Sequence, residues 1–186
     1  METIQQNNPD LNLEKLVSGL QHEDARNLRL TSNFMWIMWI MAPLYLIFAI
    51  VGFTGEEFST QHIGFIFFSL GFLVFGFLFW TLRMEYKSVD YGIPTIEMLQ
   101  KAVKRYKFWQ AKTYLTIIPV ILVCFATSFS IEHLLPYPDQ IKRMVIVFVI
   151  YLLVLCVAFF IGYLVWRTRQ KPLRDKALAM LAEIEG

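Results

Sequence analysis

Hydrophobic positions in this chain fall into four blocks with a polar stretch before, between and after them. Residues 34–53, 63–82, 114–131 and 144–166 contain no Asp, Glu, Lys, Arg or His. Each block has about the 20 residues that an α-helix needs to cross roughly 30 Å of hydrocarbon. Lipid offers no partner to backbone N–H and C=O groups, so spans must be helices or closed barrels. Barrel strands would read as short alternating segments, whereas these blocks are continuous. The pattern predicts four transmembrane helices.

The polar segments carry a second periodicity. Leu13, Leu16, Val17 and Leu20 recur at helical spacing after Asn8-Pro9, a plausible cap and first-turn pair. Ile96, Leu99, Val103 and Tyr106 do the same after Pro94, and Leu173, Ala177, Met180, Leu181 and Ile184 after Pro172. This is the spacing of one apolar helical face. With no strong breaker ahead of spans one and three, the first two helices are expected to project from those spans. The fold class is therefore all-α: an integral membrane four-helix transmembrane bundle, built from two hairpins, with amphipathic helical extensions. Its expected divisions are an N-terminal amphipathic helix over 1–32, hairpin one over 33–82, a basic amphipathic linker over 83–112, hairpin two over 113–166 and a C-terminal helix over 167–186.

Charge supplies direction. Fifteen of the seventeen Lys and Arg lie in the N-terminal, central and C-terminal polar segments, while the two short connections hold only Lys142 and Arg143. The positive-inside rule then makes both ends and the central segment cytoplasmic. The layout suits a bacterial inner membrane. The first apolar block follows some thirty mostly polar residues without a small-residue cleavage pattern, so it is read as a span rather than a cleaved signal. Trp80, Arg83, Lys104, Arg105, Trp109, Trp166 and Arg169 stand where the blocks meet polar sequence and are expected to anchor the protein at the headgroup layer. The cluster from Lys101 to Trp109 could also stack on nucleic acid. Its place beside span three favours lipid, where each cation contributes about 1 kcal/mol, and no nucleic acid is expected.

The ends of spans two and four share a sequence pattern. Gly76-Phe77-Leu78-Phe79-Trp80-Thr81-Leu82-Arg83 and Gly162-Tyr163-Leu164-Val165-Trp166-Arg167-Thr168-Arg169 place glycine, a ring, leucine, tryptophan and arginine in the same order. A duplicated hairpin and convergent interfacial anchoring both account for it. Pro43 and Pro119 interrupt hydrogen bonding inside their spans and predict kinks. Ala158 and Gly162 have the spacing of a close helix contact.

Candidate chemistry is sparse. The spans hold no ionisable residue of the kind that marks a proton or ion path. Ser69, Thr116, Thr127, Ser128 and Tyr151 offer neutral hydrogen bonds only. His62 and His133, with Glu56, Glu57, Glu132 and Asp139, could approach one another at the outer rim, but no ligand spacing supports a metal there. Phosphate-binding glycine loops, Cys-x-x-Cys pairs and nucleophile elbows are absent from the sequence. Cys124 and Cys156 lie inside spans and read as packing residues. His22-Glu23-Asp24 reads as a solvated helix face. No catalytic residue, cofactor or metal is assigned.

These readings predict a non-enzymatic regulator, scaffold or assembly subunit acting through its cytoplasmic helices, with the bilayer and a cytoplasmic protein or a second copy as partners. Leu13, Leu16, Val17 and Leu20 are the expected partner-binding face, in the manner of a helix laid in a groove. One version is similar in layout to membrane-held anti-sigma proteins, whose helix sequesters a transcription factor, although no motif is diagnostic. The alternative is a small transporter or channel subunit for a neutral solute.

Overall fold

The computed structural model describes residues 9–54, 59–131, 134–136 and 138–185, with side chains from Leu13 onward except at Ala111 and Glu185. Most of the described residues are helical, and none of them lies in a strand. The helices are α1 (Pro9–Phe53), α2 (Thr60–Lys87), α3 (Thr95–Arg105), α4 (Ala111–Leu115), α5 (Ile117–Ile131), α6 (Gln140–Val165) and α7 (Lys171–Glu185). A π-helical turn over Trp166–Gln170 joins α6 to α7. Four stretches are long and apolar enough to cross a membrane: Leu13–Phe53, Thr60–Lys87, Lys112–Ile131 and Gln140–Ile184.

α1 is one uninterrupted helix of 45 residues, roughly 67 Å at 1.5 Å per residue. Its apolar half continues into the polar N-terminal stretch, as the lack of a breaker predicts. The central stretch behaves differently. α3 ends at Arg105 and a turn over residues 106–110 separates it from α4. Two side-chain effects account for the break. The Gln110 amide nitrogen donates to the carbonyls of Arg105 (2.5 Å) and Lys107 (3.0 Å), closing the C-terminal turn of α3. Phe108 turns inward onto Phe159, Tyr163 and Trp166, with ring centroids 4.9–5.9 Å away. The fourth span, rather than the third, projects as a rod. Its helix runs through the π turn, where the Lys171 N–H donates to the Trp166 carbonyl. The wide turn lies just before Pro172, which has no N–H to give.

Pro119 acts where the sequence places it. Lacking a donor to the Leu115 carbonyl, it leaves α4 to end at Leu115 and α5 to restart at Ile117. Pro43 lies within α1.

The helices form an open row, with seams α1–α2, α2–α5 and α5–α6, rather than a closed bundle. Apolar outer faces would carry no penalty in lipid, where nothing would drive α6 back onto α1. Small residues make the close seams. Met35, Ala42 and Ala49 recur every seven residues on the buried face of α1. On α2 the buried positions are Gly64, Ser69, Gly71 and Gly76. A Cβ on Gly64 would stand 2.2 Å from Ser130 Oγ and 2.9 Å from the Ala126 carbonyl, so α2 and α5 meet there backbone to backbone. Rings fill the wider gaps, as where Tyr45 packs on Phe65, Phe68 and Phe72 at 4.7–5.9 Å.

The two sequence-matched glycines occupy different surroundings. Gly76 faces the Trp39 indole, 3.3 Å from where its Cβ would be, whereas Gly162 meets nothing within 4 Å. Ala158 and Gly162 lie on the exposed side of α6, on which Val147 alone is buried.

Candidate functional site at the basic end

The N-terminal half of α1, α3 and α7 come together beyond the apolar row, at the end that carries most of the Lys and Arg. Leu16, Leu20, Met98, Leu99, Ala102, Tyr106, Ala177 and Leu181 form one core, with Leu13, Val17 and Leu173 against it. Three amphipathic stripes each too short to hide alone thus cover one another. Burying each leucine contributes about 1.5–3 kcal/mol. The face assigned to a partner is consequently occupied: Leu16 and Leu20 are 3% and 0% exposed, beneath α3 and α7.

Above this core lies a polar centre that the sequence did not announce. Glu23 and Asp24 were expected to face water; both are buried, at 5% and 4% exposure, and only His22 of that trio is exposed. The reason is tertiary. Asp24 continues the buried stripe of Leu16 and Leu20 at helical spacing, so it enters the seam where α3 and the α2–α3 loop arrive. There its carboxylate accepts from three donors. Tyr91 Oη donates to Oδ2 at 2.5 Å, Tyr106 Oη donates to Oδ1 at 2.5 Å, and the Arg105 guanidinium pairs with Oδ2. Both tyrosine hydroxyls are pushed well above the ordinary value of 10.0, first by burial and then by the hydrogen bond to Asp24. Glu23 is held separately by Arg26 at 2.8 Å. Asn27 and Thr31 extend the buried polar stripe towards the apolar row, and Thr31 Oγ1 returns a bond to the Asn27 carbonyl at 2.8 Å.

A ring lock holds the same centre from the side of α6. Trp166 Nε1 donates to the Tyr106 carbonyl at 3.0 Å, and its indole lies 4.9 Å from the Phe108 ring. Two of the seven expected interfacial anchors, Arg105 and Trp166, are therefore bound within the protein. Trp80, Lys104, Trp109 and Arg169 are exposed, and Arg83 is partly so. Trp80 and Arg83 border a lateral groove with Met35, Trp36, Trp39 and Phe77.

Between the α2–α3 loop, α3 and the turn before α4 opens a cleft of about 710 Å³. Its wall includes Lys101, Lys104, Arg105, Lys107 and Lys112 against Glu85 and Asp90. Lys112 pairs with Glu85, and Lys101 pairs with Glu97 at 2.8 Å.

The remaining candidates carry less. Thr116, Thr127 and Ser128 donate to carbonyls of the same chain segment, at Thr113, Val123 and Cys124. Among the described residues no group of His, Cys, Asp and Glu could hold a metal ion. Glu56, Glu57, Glu132 and His133 of the proposed outer-rim site lie outside the described residues, as does Asn8. Comparison with protein-family models, with curated proteins and with solved structures finds no match.

Proposed function

We propose that this chain is a non-enzymatic scaffold or assembly subunit of a membrane, probed by its partner through a cytoplasmic three-helix module. The observation that carries the reading is the Asp24 centre. One carboxylate on α1 ties together the α2–α3 loop, through Tyr91, and α3, through Arg105 and Tyr106. Because α1 also forms the first apolar stretch, the module is fixed to the spans as a rigid platform. The charge bias of the termini and central segment supports a cytoplasmic side for that platform, and the layout suits a bacterial inner membrane.

The burial of Leu16 and Leu20 moves the partner-facing surface to the outside of α3 and α7, where Ile96, Leu178 and Ile184 are exposed. An anti-sigma-like mechanism using the α1 leucines would first have to lift α3 and α7 away. The transport reading has weaker support, since the hydroxyls of Thr116, Thr127 and Ser128 bond to carbonyls close by in sequence. Photocrosslinkers placed at Ile96 and Leu178 in native membranes test the proposal. Protein adducts are expected from both positions and not from Leu16. Only lipid and intramolecular adducts from Ile96 and Leu178 would remove it.

A further inference from the structure

The basic cleft has an occupant chemistry of its own. Five cations line it, yet three are already matched: Lys101 by Glu97, Arg105 by Asp24 and Lys112 by Glu85. Lys104 and Lys107 are exposed and make no ion pair among the described residues. Asp90, the remaining carboxylate of the wall, uses Oδ1 to accept the Gly92 N–H at 2.7 Å. Two ammonium groups facing one carboxylate leave a single positive charge to be balanced. That suits a singly charged anion such as a phosphodiester.

The place of the cleft selects the source of that anion. Trp109 forms part of the wall and stacks on Tyr114 at 5.9 Å. Tyr114, Leu115 and Ile118 follow, all exposed, at the start of the third apolar stretch. A ligand seated against Lys104 and Lys107 would thus have an aromatic girdle and an apolar helix surface directly below it. Tryptophan and tyrosine favour the headgroup level of a bilayer, and a cleft of this volume admits a headgroup. The Gln110 amide, bonded to the Arg105 and Lys107 carbonyls, fixes the turn that sets Lys107 and Trp109 in the wall.

We propose that this cleft binds the phosphodiester of an anionic phospholipid, with Lys104 and Lys107 as its charge partners and Trp109 marking the exit of the acyl chains. The site shares α3 with the protein-facing surface but does not include Ile96, Leu178 or Ile184.

Native mass spectrometry of the full chain released from mixed phosphatidylglycerol and phosphatidylcholine bilayers tests this. Retention of phosphatidylglycerol over phosphatidylcholine is expected. The double variant Lys104→Gln/Lys107→Gln should weaken it about thirtyfold, the effect of two cations at a headgroup surface. The exposed pair Lys171→Gln/Lys176→Gln on α7 should leave it unchanged. Brominated phosphatidylglycerol should quench a fluorescence component that Trp109→Phe removes. Equal retention of both lipids, or equal loss in both double variants, would overturn the proposal. Inorganic phosphate that binds with the same lysine dependence in detergent alone, and displaces the lipid at equal concentration, would overturn the lipid assignment in favour of a soluble anion.

Discussion

Replacing Asp24 with alanine tests whether the basic end is held by its polar centre or only by its leucines. The substitution leaves three donors without their acceptor. One belongs to Tyr106, which is 1% exposed, and another to Arg105, whose side chain is 11% exposed. Water cannot replace the lost partner at Tyr106 without opening the seam, while Arg105 and Tyr91 border the cleft. Removing one member of a buried ion pair costs about 3–5 kcal/mol, whereas an exposed pair would cost about 0–1 kcal/mol. The apolar spans do not contribute to this difference, so a global melt in detergent would dilute it. Hydrogen exchange over α3 is the appropriate assay, because α3 can open only by releasing Asp24. If its slowest amides exchange through that opening, their protection should fall by roughly two to three and a half orders of magnitude. A fall of less than about fivefold would show that Asp24 behaves as a solvated surface charge. The combined replacement Asp24→Leu/Arg105→Leu/Tyr106→Phe, which also removes the buried hydroxyl that Asp24 accepts, supplies the second arm. Exchanging a buried pair for apolar side chains is often close to neutral, so it should recover most of the protection that Asp24→Ala loses.

Alkaline titration should destabilise the same module. Tyr91 and Tyr106 have hydroxyls raised above 10.0 in the folded protein, so the unfolded chain releases those protons first. Their stabilising contribution is complete below about pH 10 and declines as pH rises beyond it; a late phenolate component that Tyr91→Phe and Tyr106→Phe each reduce would confirm the sign. Gly64→Ala should cost about 1–3 kcal/mol by overpacking, because the Ala126 carbonyl is a backbone neighbour that cannot step aside. Gly162→Ala should be neutral or stabilising by up to about 1 kcal/mol, and thermal unfolding in one detergent compares the pair. Trp166→Phe removes the bond to the Tyr106 carbonyl and should cost about 1 kcal/mol, read as faster exchange at the 106–110 turn.

The apolar blocks determined the helical class and the four stretches able to cross a membrane, because hydrocarbon leaves a backbone no partner but itself. The amphipathic stripes at Leu16, Leu99 and Ala177 were equally legible as faces seeking cover. Which surface would cover each was a matter of three-dimensional meeting, and the structure sets them against one another. Asp24 looked solvated because its neighbours in sequence are polar. Its partners are 67 to 82 positions away, at Tyr91, Arg105 and Tyr106, and only a hint remained in its spacing from Leu16 and Leu20. Arg105 and Trp166 resembled interfacial anchors for the same reason: composition near a span cannot distinguish a side chain facing headgroups from one drawn inward by a distant carboxylate or carbonyl. The close seam at Gly64 was also silent, since a missing side chain acquires meaning only when another backbone occupies the space. Local pattern fixes what a segment must hide, and tertiary packing decides what hides it.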